Sequence, residues 1–383
     1  MFNTKLGRFC AEHNNWEELL TQEPYFIKIK EDGPYVIFNY DQIRSDFSNP
    51  IVQEARGIIF RKGQWKNPVC WSFNKFFNVQ ELDTAEIDWS TAFVSEKIDG
   101  SIIRVWYDED GWHISTNSMI DAYKAETGDV ICNNFGANFC NTIYEYYQYY
   151  KDFIDDLDPN LTYIFELVGP YNRVVIPYEE PALYFLGARN KFTGEEYNCS
   201  PASAEALGMD SFNIPKQYPL TSAEDCINLA DTFSWDEEGF VVCDAQFNRV
   251  KIKSPAYVMA HFARNNNVIT RKHLIKVIID NEVSEFLCYA SDYKEELEKI
   301  QGLMKAFCKV GDQIAKSCQR LYDVSRGTYA NWVKTLPKIY QDLAFRNYNN
   351  IMSTKDYTAG WNENKWDTYL ESFEQLKEDL FGQ

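Results

Sequence analysis

The sequence predicts an α+β chain in two parts, a mainly antiparallel-sheet domain over residues 1–257 followed by an all-helical domain over residues 258–383. Three observations carry this expectation. Short runs rich in β-branched and aromatic residues, separated by turn residues, recur as far as Lys253. After Pro255 the texture changes to long stretches with apolar residues three and four apart, as at Leu297, Ile300, Met304 and Phe307. A length of 383 residues, 45% hydrophobic and 16% aromatic, is enough for two packed cores.

The strands follow in order. Residues 25–29 and 35–38 flank a turn at Glu31-Asp32-Gly33-Pro34. Further strand-like runs lie at 57–60, 92–95, 102–107, 112–116, 161–167, 174–177, 182–188, 239–243 and 250–253. Between them the sequence predicts helices over 121–139 and 141–150. A third runs to Ala230 from the capping-box pattern Thr221-Ser222-Ala223-Glu224. Beyond Pro255, helices are expected over 257–279, 282–301, 303–322, 329–345 and 366–381.

Net charge is −19, which argues against a purely electrostatic nucleic-acid binder. The tail from Ala256 is balanced, with 17 basic and 17 acidic residues, whereas the part before it has 21 basic against 40 acidic. An acidic domain that handles phosphates must gather its few cations in one place. The ten cysteines form no C-x-x-C pair, and four histidines give no zinc-ligand spacing. Reduced thiols in a cytoplasmic protein are therefore expected. The first twenty residues lack the apolar core of a secretory signal, and no stretch suits a membrane span.

Four segments hold candidate chemistry. Lys97-Ile98-Asp99-Gly100-Ser101 joins two predicted strands; its glycine permits close backbone approach, and a lysine there becomes a nucleophile if it loses its proton. Alone, the motif is weak, since an exposed hairpin lysine paired with Asp99 would look the same. Phe165-Glu166 places a carboxylate near the end of an apolar strand. Glu237-Glu238-Gly239 opens another strand with acid. Lys251 and Lys253, at period two, point to one face and suit a triphosphate, or else protect an edge strand.

In this order the segments resemble the covalent nucleotidyltransferase superfamily of DNA ligases, RNA ligases and mRNA capping enzymes. The runs Glu54-Ala55-Arg56-Gly57-Ile58-Ile59-Phe60, Phe73 to Glu81, Phe165 to Val175 and Lys251 to Tyr257 are similar to the RNA ligase 1 family of T-even phages. The resemblance covers roughly residues 50–257; the helical tail matches by size and class. One departure is Thr116-Asn117-Ser118, where some members carry a basic residue.

The resemblance implies an ATP-dependent RNA ligase. Lys97 would attack the α-phosphorus of ATP to give lysyl-AMP. AMP would pass to an RNA 5′-phosphate, and an RNA 3′-hydroxyl would then displace it. Catalytic roles fall to Lys97, Lys251, Lys253, Asp99 and Glu238. ATP contacts fall to Arg56 and Lys75 (β- and γ-phosphates), Glu166 (ribose), Glu96 (adenine side), Gly100 and Tyr257. Glu238 and Asp99 would bind Mg²⁺ or Mn²⁺. Arg264, Arg271, Lys272 and Lys276 are the tail's candidates for RNA contact, against the plainer reading of a solvated helix face. The implied partner is RNA with 5′-phosphate and 3′-OH ends, such as a cleaved tRNA, bound by a monomer in the cytoplasm. A DNA ligase or capping enzyme is the rival reading, disfavoured because both carry an OB-fold where this chain turns helical. An inactive RNA-binding relative is the other, disfavoured because every expected position is filled.

Overall fold

A computed structural model of the chain describes residues 4–41, 44–81, 83–127, 133–146, 150–263, 269–280, 282–321, 323–348 and 352–381. It divides into two compact units, Met1–His261 and Phe262–Gln383.

The first unit opens with two helices, α1 (Lys5–Glu12) and α2 (Trp16–Leu20), and a hairpin of β1 (Lys28–Asp32) and β2 (Tyr35–Asn39). Helix α3 (Pro50–Glu54) leads into β3 (Arg56–Arg61), which completes an antiparallel three-stranded sheet. An extended strap then reaches the two-residue β4 (Phe77–Asn78). After β5 (Phe93–Glu96) come β6 (Ser101–Asp108) and β7 (Gly111–Thr116), helices α4 (Phe135–Ile143) and α5 (Tyr150–Asp155), then β8 (Leu161–Val168) and β9 (Ala182–Asn190). The remainder is β10 (Glu196–Tyr197), α6 (Pro201–Ala206), β11 (Gln217–Tyr218), α7 (Ala223–Ala230), β12 (Gly239–Cys243), β13 (Arg249–Lys253) and α8 (Pro255–Ala263).

Among the described residues two five-stranded sheets result, in the orders β10-β9-β8-β6-β7 and β11-β5-β12-β13-β4, and of these strand pairs only β13–β4 is parallel. Strand β8 is buried along its whole length because helices cover it. Its Tyr163, Phe165 and Leu167 pack with Phe139 and Phe153 from the helices. Strands β12 and β13 bury Phe240, Val242, Val250 and Ile252 against Cys226 and Ala230 of α7. The chain passes from one sheet to the other between β5 and β6, and that crossing is the Lys97 turn.

The second unit is helical: α9 (Arg271–Ile279), α10 (Val283–Tyr289), α11 (Lys294–Gln319), α12 (Arg326–Val333), α13 (Lys338–Arg346), α14 (Thr354–Thr358) and α15 (Glu363–Phe381). Helix α11 buries Leu297, Ile300, Leu303, Phe307 and Gly311 on one stripe. Phe307 stacks on Tyr340 and meets Trp366 and Phe373 edge-on. Among the described residues no helix is long and apolar enough to cross a membrane.

Several expected elements differ. Residues 174–177 form no strand, because the Val175 and Ile176 amides donate to a carboxylate instead of a ladder. The helix expected over 121–139 is a 3₁₀ turn at Ala122–Lys124 followed by α4, with 128–132 outside the described residues. The first strand begins at Lys28, not Tyr25. The helices read at 282–301 and 303–322 are arranged otherwise. A short α10 comes first, then α11 runs unbroken through Gly302, because its apolar stripe continues across that residue. The helix expected over 329–345 is split into α12 and α13 at Pro337, which lacks the amide a continuous helix requires. The stretch 257–279 is α8 and α9, with 264–268 outside the described residues.

Candidate active site

Strand pairing puts the four motifs around one point. In the β12–β13 register Gly239 faces Lys253, and in the β12–β5 register Phe240 faces Glu96. The Lys97 amide donates to the Gly239 carbonyl at 2.8 Å, which ties the crossing to the start of β12. Gly239 has φ +131°, and a Cβ there would lie 2.1 Å from the Ile252 carbonyl oxygen. Gly100, in the turn before β6, packs against β8, where a Cβ would meet the Leu167 carbonyl at 2.5 Å and the Glu166 side chain at 2.9 Å. Both glycines of the motifs are therefore demanded by close backbone approach.

At the centre, Lys97 Nζ lies 2.7 Å from Glu238 Oε1, and Lys253 Nζ lies 3.5 Å from the same oxygen. Glu238 is 3% exposed at its side chain, against 23% for Lys97 and 13% for Lys253, so one buried carboxylate holds two partly accessible ammoniums. Its other oxygen, Oε2, is buried without a hydrogen-bond partner. An orphaned carboxylate oxygen inside a protein is costly, and a cation would complete it. Among the described residues no three His, Cys, Asp or Glu side chains form a metal cage.

Asp99 is engaged differently. Its Oδ1 accepts from the Tyr257 hydroxyl at 2.8 Å, and its Oδ2 accepts from the amides of Val175 and Ile176 at 2.8 and 2.7 Å. These three bonds make Asp99 an anchor that ties the Lys97 turn to α8 and to the loop after β8. Tyr257 is 2% exposed, and its hydroxyl is given to Asp99 while its ring centre lies 5.7 Å from Lys253 Nζ.

Glu166, on β8, is buried, and its carboxyl is pushed up to about 8. Burial is the largest cause; Lys97 and Arg56 pull it down, while Glu238 and Asp99 push it up. A neutral carboxyl can both donate to and accept from a hydroxyl. Stability has a definite sign here. The unfolded chain loses this proton at its ordinary value of 4.5 and the folded chain at about 8, so stability falls as pH rises between them. The slope is about 1.4 kcal/mol per pH unit. Glu166→Gln should flatten that dependence, read by denaturant unfolding at pH 5, 6.5 and 8; an unchanged slope would refute the assignment.

Glu96 sits at the end of β5, its amide bonded to the Lys216 carbonyl at 2.7 Å and its carboxyl raised mainly by burial. Burial also raises the phenols of Tyr178 and Tyr184, and both feel the charge of Glu96. These tyrosines were not legible beforehand, since neither belongs to a motif. Arg56 opens β3 and donates to the Phe73 carbonyl at 3.4 Å, with Phe76 5.4 Å from its guanidinium. Lys75 Nζ faces the rings of Tyr40, Phe47 and Phe77 at 5.2, 4.8 and 5.4 Å. Lys251 pairs with Asn78 across the parallel β13–β4 ladder. Beside Thr116-Asn117-Ser118, Arg104 of β6 is buried, its guanidinium bonded to the carbonyls of Gly57 and Thr116.

The tail candidates do not converge. Arg271 pairs with Asp367 at 3.2 Å and Glu374 at 2.7 Å, and Lys276 pairs with Asp280. Lys272 is exposed, and Arg264 lies outside the described residues.

A proposed bifunctional polynucleotide kinase/RNA ligase of Autographa californica nuclear polyhedrosis virus is 30% identical over 279 residues; the match takes in 69% of this chain and 39% of that protein, so the chain spans well under half of its length. An RNA ligase of Rhodothermus phage RM378 is 25% identical over 355 residues, covering 77% of this chain and 78% of the relative. A Naegleria gruberi RNA ligase solved with pyrophosphate is 17% identical and covers 45% of this chain and 52% of that one, at a TM-score of 0.36, a likeness too loose to bear on the site. The RNA ligase family model matches residues 54–257, more than half of the chain and the stretch that holds every motif above; this chain belongs to the phage-type RNA ligase family.

Proposed function

We propose that this chain is an ATP-dependent RNA ligase that joins RNA 5′-phosphate and 3′-hydroxyl ends through lysyl-AMP and RNA-adenylate intermediates. The observation that carries the reading is the meeting of Lys97 Nζ, Glu238 Oε1 and Lys253 Nζ within 3.5 Å beside the buried Glu166.

In the first step Lys97 must shed a proton, for which Glu238 Oε1 at 2.7 Å is the nearest acceptor. The free amine then forms an N–P bond at the α-phosphorus of ATP as the bond to the bridging oxygen breaks and pyrophosphate leaves. A P–N bond breaks more readily than a phosphate ester, which suits an intermediate that must be passed on. Charge grows on phosphate oxygens during each transfer, so fixed cations aimed at them do most of the work. Lys251 and Lys253 are assigned to the α-phosphate, and Arg56 and Lys75 to the pyrophosphate. Glu166 is assigned to the ribose hydroxyls and Glu96 to the adenine side, with Tyr178 and Tyr184 beside it. A bound Mg²⁺ or Mn²⁺, held through Glu238 Oε2, would neutralise phosphate charge. Asp99 and Tyr257 hold the turn that carries the nucleophile.

The biological setting proposed is repair of broken RNA, with cleaved tRNA a candidate, by a cytoplasmic monomer. Strand joining tests the substrate class. RNA with a 5′-phosphate and a 3′-OH should be sealed in the presence of ATP and divalent metal, and matched DNA ends should be joined far more slowly. Equal or faster joining of DNA would overturn the choice of RNA.

A further inference from the structure

The strap that joins Cys70 to β4 carries Lys75 and receives Arg56, yet it has no regular secondary structure. Its backbone groups must find partners elsewhere. Trp71 donates its amide to Thr162 Oγ1 of β8 at 3.0 Å, and Lys75 donates its amide to the Gln53 carbonyl at 2.8 Å. The middle is held by two buried arginines. Arg189 of β9 donates to the Ser72 carbonyl at 3.0 Å and to Asn74 Oδ1 at 3.1 Å, and its guanidinium lies 3.6 Å from the Trp71 ring centre. Arg249, at the start of β13, lies 4.2 Å from the ring centre of Phe73.

Glu196 joins these two. It stands opposite Arg189 in the β10–β9 register, with Oε1 3.4 Å from that guanidinium, and its Oε2 accepts from Arg249. All three side chains are buried. Arg189 and Glu196 belong to one five-stranded sheet and Arg249 to the other, so this ion group bridges the two sheets where the strap passes. A guanidinium suits the task because it can stack on a ring while its fork bonds in plane; an ammonium cannot do both.

We infer that Arg189, Glu196 and Arg249 are positioning residues for Arg56 and Lys75, acting through the strap. The inference rests on the assignment of those two cations to the leaving pyrophosphate. The path is short: the Phe73 carbonyl, between the two strap atoms that Arg189 holds, is the one that accepts from Arg56. Lys75 follows Asn74 directly and keeps its ammonium against the rings of Tyr40, Phe47 and Phe77.

A cation on pyrophosphate matters only when pyrophosphate leaves, which gives the test its selectivity. In the full chain, Arg189→Lys keeps the charge and loses the fork, and Asn74→Ala removes one strap contact without baring a buried ion. Each should slow self-adenylylation by ATP on the order of 10- to 100-fold, the scale set by misplacing a group by about 1 Å. Most of that loss should appear in KM for ATP, and inhibition by added pyrophosphate should weaken alongside. Sealing of chemically pre-adenylated RNA should stay within about twofold, because that reaction releases no pyrophosphate. If both variants slow the two reactions alike, or neither reaction changes, the inference is overturned. Should Arg189→Lys fail to fold, Asn74→Ala decides the matter by the same split. Arg56→Ala is the companion measurement: a selective loss of the ATP reaction supports the inference. Equal loss of both reactions, or none, would instead remove the pyrophosphate assignment itself, even with the strap variants behaving as expected.

Discussion

Lys97→Ala protein incubated with ATP labelled in the α-phosphate and with divalent metal should carry no protein-bound label, whereas the native chain should become labelled. The label on the native chain should be acid-labile and stable to base, as a phosphoramidate is. The reason is positional. Lys97 is the one motif lysine at the crossing between sheets, fixed through its own amide to the Gly239 carbonyl at 2.8 Å and through Asp99 to Tyr257. Lys251 and Lys253 lie on β13, beyond β12 from the turn, and in the proposed mechanism they are assigned to phosphate charge rather than to attack. RNA ligation from ATP should be lost with the label. Sealing of pre-adenylated RNA should remain measurable in Lys97→Ala, because no amine attacks in that step. Label persisting in Lys97→Ala would remove the central assignment.

Glu238→Gln is the second large effect expected. The substitution keeps shape and removes charge at a side chain that is 3% exposed. Two consequences follow. The ammoniums of Lys97 and Lys253 lose their shared counter-charge, and the orphaned Oε2 loses its attraction for a cation. Adenylylation should slow by about 10²- to 10³-fold, the range seen when one electrostatic group is taken from a reacting centre. The metal concentration for half-maximal rate should rise as well, and extra metal should restore part of the rate. A slower rate with unchanged metal dependence would leave Glu238 as a lysine partner only. An unchanged rate would exclude it from the chemistry. Breaking a fully buried pair costs about 3–5 kcal/mol. Here the partners are partly exposed, so the loss of stability should be smaller, which a thermal melt can check.

Much of the first unit was legible because its signals are local. Runs rich in β-branched and aromatic residues mark β6, β8, β12 and β13, and several of their motif residues fall near strand ends where turn chemistry is also visible. Gly100 could be read as a close-approach position because glycine alone lacks the Cβ that would clash there, whereas the same demand at Gly239 emerged only from the fold. The strand expected at 174–177 shows where local reading fails. Its residues have the right composition, but their amides are claimed by Asp99, which lies 76 and 77 residues away. The same long-range bonds shift Asp99 from a candidate metal ligand toward a structural anchor, a distinction that its place beside Lys97 in the motif could not make. In the second unit, charge alone suggested a basic face. Two of its cations are instead spent on Asp367, Glu374 and Asp280.

By itself the sequence determined the chemistry available: a lysine in a glycine turn, an acid before a buried strand, two lysines at period two, and their order along the chain. It also determined the two textures, sheet and helix, since these depend on residue spacing within a dozen positions. Only the tertiary structure decided which oxygen of which acid is left over. Glu238 has one oxygen without a hydrogen-bond partner, whereas both Asp99 oxygens accept from groups that the fold brings from distant helices and loops. Only the tertiary structure, too, joined Arg189, Glu196 and Arg249, residues up to 60 positions apart and outside every motif, around the strap that carries Lys75.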